Sequence, residues 1–222
     1  MVGAAYAAGL PVDEIERLFT SVRIRDLFRP VWAKDGLLDN GPLARSVERM
    51  IGPMEMSQLR IPFAAMATDA ETGEGVVLQS GRLSDALQAS TAIPCLVRPV
   101  DQGGRRLIDG GVLHKVPVRL ARSMGADLVI AVDLSLPLAW LGRVRNPVAV
   151  LMQVIEMMDQ RLVRQELQEA DMVIQPTVDC GSFQFRRARE QVESGEAAAR
   201  RALPQLQERL AAWLGPVGVA AD

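Results

Sequence analysis

Leu107-Ile108-Asp109-Gly110-Gly111-Val112 and, a short way on, Gly125-Ala126-Asp127-Leu128-Val129-Ile130-Ala131-Val132-Asp133 are the two stretches that decide the fold class. In the first, an apolar pair ends in a carboxylate followed by two glycines. This is the pattern of a strand that stops at a loop which another backbone or a ligand approaches closely. In the second, Gly125 closes a helix predicted over Pro117 to Met124, with proline in its first turn, and Leu128 to Val132 follows as a buried strand. Strand, helix and strand in so short a span imply a layered α/β fold.

Outward from this centre the alternation continues. Ile61 to Ala67 reads as a buried strand, turned by Glu71-Thr72-Gly73-Glu74 into a second strand at Val76 to Leu78. Ser84 to Ala89 reads as a helix ending before Ile93-Pro94, with extended segments near Cys95 to Val100 and Arg106 to Ile108. Towards the C-terminus, a helix from Pro147 to about Ala170 carries the apolar stripe Val150, Leu151, Val154, Met157, Met158, Leu162 and Leu167, and a strand follows at Met172 to Gln175. Arg187 to Trp213 is amphipathic, with Pro204 predicted to break it. At the other end, Val2 to Ala8 and Val12 to Phe19 read as helices on either side of Gly9 and Pro11, Gly36 to Gly41 as a turn, and Leu43 to Ile51 as a helix. No capping residue precedes the first of these helices, so the sequence reads either as starting inside it or as a frayed terminus.

Composition narrows the function classes. With 222 residues, 49% of them apolar and 23% charged, the chain forms one sizeable core, and 18 glycines with 13 prolines exclude a coiled coil. No repeat or low-complexity linker divides it, so residues 1–222 read as a single domain. Twenty-five Lys and Arg against 27 Asp and Glu give a net charge of −2, no general attraction for nucleic acid, and a nucleic-acid role is disfavoured. Cys95 and Cys180 are too few for a disulfide framework or a cysteine zinc site, which suits a cytoplasmic, reduced setting. His114 is the single histidine, so neither a histidine-rich metal site nor more than one Ser-His-Asp arrangement is available; no metal or other cofactor is expected. Ala5-Tyr6-Ala7 imitates a signal cleavage site, but no basic residue stands before Arg17, and no apolar run is long enough to span a bilayer.

Taken alone, Asp109-Gly110-Gly111 is either an ordinary turn or a catalytic carboxylate. Its surroundings resemble the patatin-like phospholipase family, the bacterial patatin-like lipid acyl hydrolases. The matching text is Ala67-Thr68-Asp69 through Thr72-Gly73, Gly81 with Ala86, and Ala89-Ser90-Thr91-Ala92-Ile93-Pro94 with Pro99-Val100. It continues through Asp109-Gly110-Gly111-Val112 with Pro117, Gly125 to Asp133, Ala170 to Pro176, Phe185 and Gly195-Glu196-Ala197-Ala198, about nine tenths of the chain.

The resemblance implies a three-layer α/β/α fold and hydrolysis of lipid or carboxylic esters by a Ser-Asp dyad, with Asp109 as general base and Gly110 and Gly111 supporting it. It also implies a serine in a Gly-x-Ser-x-Gly elbow and a glycine-rich oxyanion loop. Neither occurs in these residues, and Met1 to Gly9 resembles the helix that follows the elbow, so the expectation is a domain incomplete at its N-terminus, lacking the first strand and the nucleophile. Ser90 resembles a motif serine with a structural role. His114 stands where the family usually has asparagine and Lys115 where it often has proline; the first reads as a surface histidine or as a change to the pocket. Met152, Met157 and Met158 read as core filler or as a lipid-pocket lining. Leu136-Pro137-Leu138-Ala139-Trp140 beside Arg143 and Arg145 reads as a buried loop or as a peripheral membrane contact. A catalytically inactive binding module on the same fold, or an acyltransferase, remains an alternative. Head group, acyl length and oligomeric state are not legible in the sequence.

Overall fold

A computed structural model describes residues 1–135, 147–177 and 187–214. Helices and strands alternate as an α/β fold. Helices α1 (Val2–Ala7), α2 (Val12–Ser21) and α3 (Ile24–Leu27) are followed by a small ladder of β1 (Arg29–Pro30) with β2 (Leu38–Asp39), then by α4 (Gly41–Ile51). The main sheet comprises β3 (Ala65–Asp69), β4 (Gly75–Leu78), β5 (Val100–Gln102) and β6 (Arg105–Asp109), in the order β4-β3-β6-β5 and antiparallel throughout. Strand β3 is paired on both sides, and all five of its residues are buried. The β5–β6 connection is Gly103-Gly104, with both φ values positive at 60° and 75°, as a two-residue hairpin turn requires.

Helix α5 (Leu83–Ser90) covers the sheet through β3 and β6, α4 packs on α5, and α3 on α4. Ala4, Leu43, Val47, Leu83, Ala86, Leu87, Ala67 and Leu107 belong to the core these elements enclose. A buried polar tie joins two of the helices: Asn40, 1% exposed, donates its amide to the Gln88 carbonyl at 2.7 Å. Further on, α6 (Val118–Ser123) precedes β7 (Ile130–Val132), which pairs in parallel with β8 (Met172–Ile174). Helices α7 (Pro147–Leu167) and α8 (Ala188–Leu214) complete the described elements. No helix among the described residues is long and apolar enough to cross a membrane.

Several sequence expectations shift. The strand expected over Ile61 to Ala67 starts at Ala65, and the extended segment expected from Cys95 contains a turn, with Cys95 at φ 65°, before β5 begins at Val100. The strand expected over Leu128 to Val132 is shorter, and Ile130 and Val132 are 39% and 51% exposed rather than buried. Pro204 does not break α8, which runs through it: proline deprives the helix of one amide donor to the Arg200 carbonyl, and that exposed turn leaves the carbonyl to solvent. The largest difference lies in α7. Its stripe residues Val150, Leu151, Val154, Met157, Met158 and Leu162 are exposed, whereas Asp159, Val163 and Glu166 are buried. The helix therefore turns an acidic face inward, because basic side chains wait there. Leu136 to Trp140, Arg143, Arg145, Cys180, Phe185 and the side chain of Met152 lie outside the described residues.

Candidate active site

Asp109 is the last residue of β6, opposite Ala67 of β3, and its amide donates to the Ala92 carbonyl just beyond α5 at 2.9 Å. Three elements of the main core thus hold its backbone. Its Oδ1 accepts the Gly111 amide at 2.7 Å, which bends the chain into the short 3-10 turn Gly110–Val112. Gly110 has a packing reason to be glycine: a Cβ there would run into the Met66 carbonyl of β3. The two glycines therefore let β6 end tightly against its neighbour, and among the described residues no hydrogen bond occupies the second carboxylate oxygen.

A cavity of about 430 Å³ opens over this carboxylate, lined by Met1, Phe63, Ala65, Met66, Leu87, Ile93 and Pro94 on its apolar walls and by Ser90, His114, Lys115, Glu156 and Asp159 among its polar groups. Burial in these surroundings raises the Asp109 pKa above the usual carboxylate range; the Gly111 amide and the Lys115 charge oppose that shift without cancelling it. A carboxylate made more basic by an apolar wall is a better proton acceptor than one in water.

Lys115 is the cation of the cavity. Its Nζ donates to both oxygens of Glu156 at 2.8 and 2.7 Å and lies 3.8 Å from Asp159, and its charge also acts on Asp109 and Asp133. Burial, against the pull of Lys115, pushes Asp159 up to about 6. His114 lines the cavity with its side chain 37% exposed: its Nδ1 shares a 3.0 Å hydrogen bond with the buried Glu166 Oε1, and its Nε2 stands 3.1 Å from where a Cβ on Gly75 would be. A side chain at that position of β4 would crowd the ring, which would have to shift by a few tenths of an ångström.

Asp109, Gly110, Gly111, His114 and Lys115 line one cavity, and Ser90, to which the sequence reading assigns a structural role, lines it too. Ser90 occupies the end of α5. That reading missed Glu156, Asp159 and Glu166. Their spacing of three and seven residues along α7 was the available signal, because it puts all three on one helix face. Met157 and Met158 do not line the cavity and are not core filler; they are 44% and 63% exposed. Among the described residues no three His, Cys, Asp or Glu side chains are grouped to hold a metal ion.

The family model for patatin-like phospholipases matches residues 1–122, which include the main sheet, α5 and Asp109. A protein of Mycobacterium tuberculosis named as an NTE family protein is 37% identical over 138 residues, 61% of this chain and 38% of its own length. A second NTE family protein of that organism is 27% identical over 233 residues, 91% of this chain and 40% of its own. Patatin-like phospholipase domain-containing protein 6 of Mus musculus is 32% identical over 114 residues, half of this chain and 8% of the mouse protein. The chain thus spans about two fifths of the length of the mycobacterial relatives it matches.

Proposed function

From the premise that the chain belongs to the patatin-like phospholipase family, a family of lipid hydrolases, we propose that it carries the base half of a serine esterase site acting on lipid or carboxylic esters. The observation that carries this reading is Asp109: a half-buried carboxylate of raised pKa, held by the Gly111 amide, in the lining of a largely apolar cavity. In the reaction, Asp109 takes the proton of a serine hydroxyl as its oxygen attacks the ester carbonyl. It then returns that proton to the departing alkoxide, so the alcohol leaves and an acyl-serine remains. Water then gives one proton to the same carboxylate as its oxygen attacks the acyl carbon; the bond to the serine oxygen breaks, the acid leaves, and Asp109 passes the proton to that oxygen, which restores the serine. Phe63, Leu87, Ile93 and Pro94 offer the acyl chain an apolar wall.

The serine in this mechanism is not one of the 222 residues, which contain no Gly-x-Ser-x-Gly; in this reading an elbow joined ahead of Val2 enters the cavity beside Met1. By themselves the 222 residues are expected to show no fluorophosphonate-sensitive turnover of nitrophenyl esters, since loss of a serine nucleophile costs about 10⁶ in rate. Ester hydrolysis abolished by Ser90→Ala would instead make Ser90 the nucleophile and overturn this assignment.

The direct test joins the glycine-rich loop and elbow of a relative ahead of Val2. In that chimera Asp109→Asn is expected to keep the melting temperature and to lower kcat/KM by about 10² or more, whereas His114→Ala changes it far less. If His114→Ala collapses the rate and Asp109→Asn does not, the dyad is wrong.

A further inference from the structure

A second cleft, of about 730 Å³, lies between α3, β1 and α4 and shares no residue with the Asp109 cavity. Four arginines line it: Arg25 of α3, Arg29 of β1, and Arg45 and Arg49, one turn apart on α4. The chain as a whole is slightly acidic, so this concentration of positive charge is local. Arg29 is neutralised by Asp39 at 2.7 Å. Arg49 donates to the Ser46 hydroxyl at 2.8 Å and, like Arg25 and Arg45, has no carboxylate partner among the described residues. Two acids share the cleft wall with the four arginines, and each has a partner outside it. Asp26 accepts the Arg23 amide at 2.9 Å, and Glu48 accepts the Ser84 hydroxyl at 2.9 Å and faces Arg82 at 3.6 Å.

The walls are fixed as well as charged. The buried Ser46 hydroxyl donates to the Asp26 carbonyl at 2.7 Å, tying α4 to α3, while Phe28, Pro30 and Pro42 supply apolar surface. Arginines that outnumber the carboxylates beside them and form no ion pair with them keep planar N–H forks available, which favours an oxyanion that neutralises and bridges them. Carboxylate has two acceptor oxygens; a phosphate monoester has three and close to two negative charges, a better match to three unpaired guanidiniums. The cleft is also far larger than an inorganic ion, leaving room for an organic portion against Phe28 and the prolines.

We propose that the Arg25–Arg29–Arg45–Arg49 cleft binds the phosphate of a phosphomonoester, presented either by a soluble metabolite or by a lipid headgroup. The proposal is independent of ester hydrolysis, and binding alone tests it. The 222-residue chain is titrated with sn-glycerol 3-phosphate by calorimetry and, separately, sedimented with phosphatidylcholine vesicles with and without phosphatidic acid. Binding to either phosphate probe, weakened about tenfold or more by Arg45→Gln with Arg49→Gln and unchanged by Arg200→Gln with Arg201→Gln on α8, supports it. Binding to the soluble probe alone, the vesicles alone or both tells the sources apart. Arg25→Gln, on a different element, gives the same reading should the α4 double variant melt early. Binding to neither probe, or equal losses from the cleft and α8 variants, overturns the proposal.

Discussion

The region up to Asp109 and the region after it bury apolar surface very differently. In the N-terminal region a single core gathers sixteen described residues between Ala4 and Leu107, from α1, α3, α4, α5 and the main sheet. In the C-terminal region the described core cluster is Val118, Val129 and Ala131, while Ile130, Val132 and the outward face of α7 are exposed. Asp109 sits on the boundary. Its position comes from β3, β6 and Ala92 on the N-terminal side; its charge state is set first by burial among the cavity walls, which Lys115 on the C-terminal side opposes. The comparison teaches that the C-terminal side adds charge to the site while the strand that ends in Asp109 belongs to the N-terminal core, so the charged groups around Lys115 can be perturbed with that strand left in place.

The strongest way to break the comparison is to cut into both cores. Leu107, 1% exposed beside Asp109, has no space to collapse into, and Leu107→Ala is expected to lower stability by about 2–5 kcal/mol. Val129→Ala, in the small cluster, should lose no more than about 1.5 kcal/mol, because its surroundings relax. Urea unfolding measures both. Equal losses would mean that the two regions share a single core.

A smaller effect separates charge from geometry. Asp159 is raised from 3.8 to about 6, chiefly by burial. The folded state therefore holds its proton more tightly than the unfolded state does. This contribution to stability is complete below about pH 3.8 and is lost as pH rises through about 6. Asp159→Asn removes that dependence. The melting temperature of the variant relative to the parent is expected to be higher at pH 7 than at pH 4, with β3 and β6 undisturbed. A difference that does not change between those pH values would show that Asp159 is not proton-linked to folding.

The same division explains what could be read in the sequence. Asp109 and its glycines stood out as a strand ending in Asp-Gly-Gly, but the catalytic reading of that carboxylate came from the resemblance of its surroundings to the patatin-like phospholipases; the β3–β4 hairpin was legible because Glu71 to Glu74 is turn text between two apolar runs. The acidic half of the site was not. Periodicity finds a stripe on α7 but not which side of the helix faces the protein. That choice is made by Lys115, which meets Glu156 and Asp159, and by His114, which meets Glu166, all more than forty residues away in sequence. The arginine cleft escaped for the same reason: Arg25 and Arg49 are brought to one place by the α3–α4 packing that Ser46 ties.

The smallest expected effect on stability tests the outward face of α7. Val154 and Met158 are 46% and 63% exposed and lie one helical turn apart, so burying them stabilises the fold little. Val154→Lys with Met158→Lys should therefore move the urea midpoint by no more than about 0.5 kcal/mol equivalent. Association should respond much more. With Leu151 and Leu162 these side chains form a continuous apolar strip that water disfavours, and the parent chain is expected to self-associate through it; the lysine pair adds two charges to the strip and should return the protein to a monomer. Size exclusion with light scattering, read beside the unfolding curve, separates the outcomes. If the double variant loses as much stability as Leu107→Ala, the outward face of α7 is core in solution, and the contrast between the two regions of the chain fails at its clearest point.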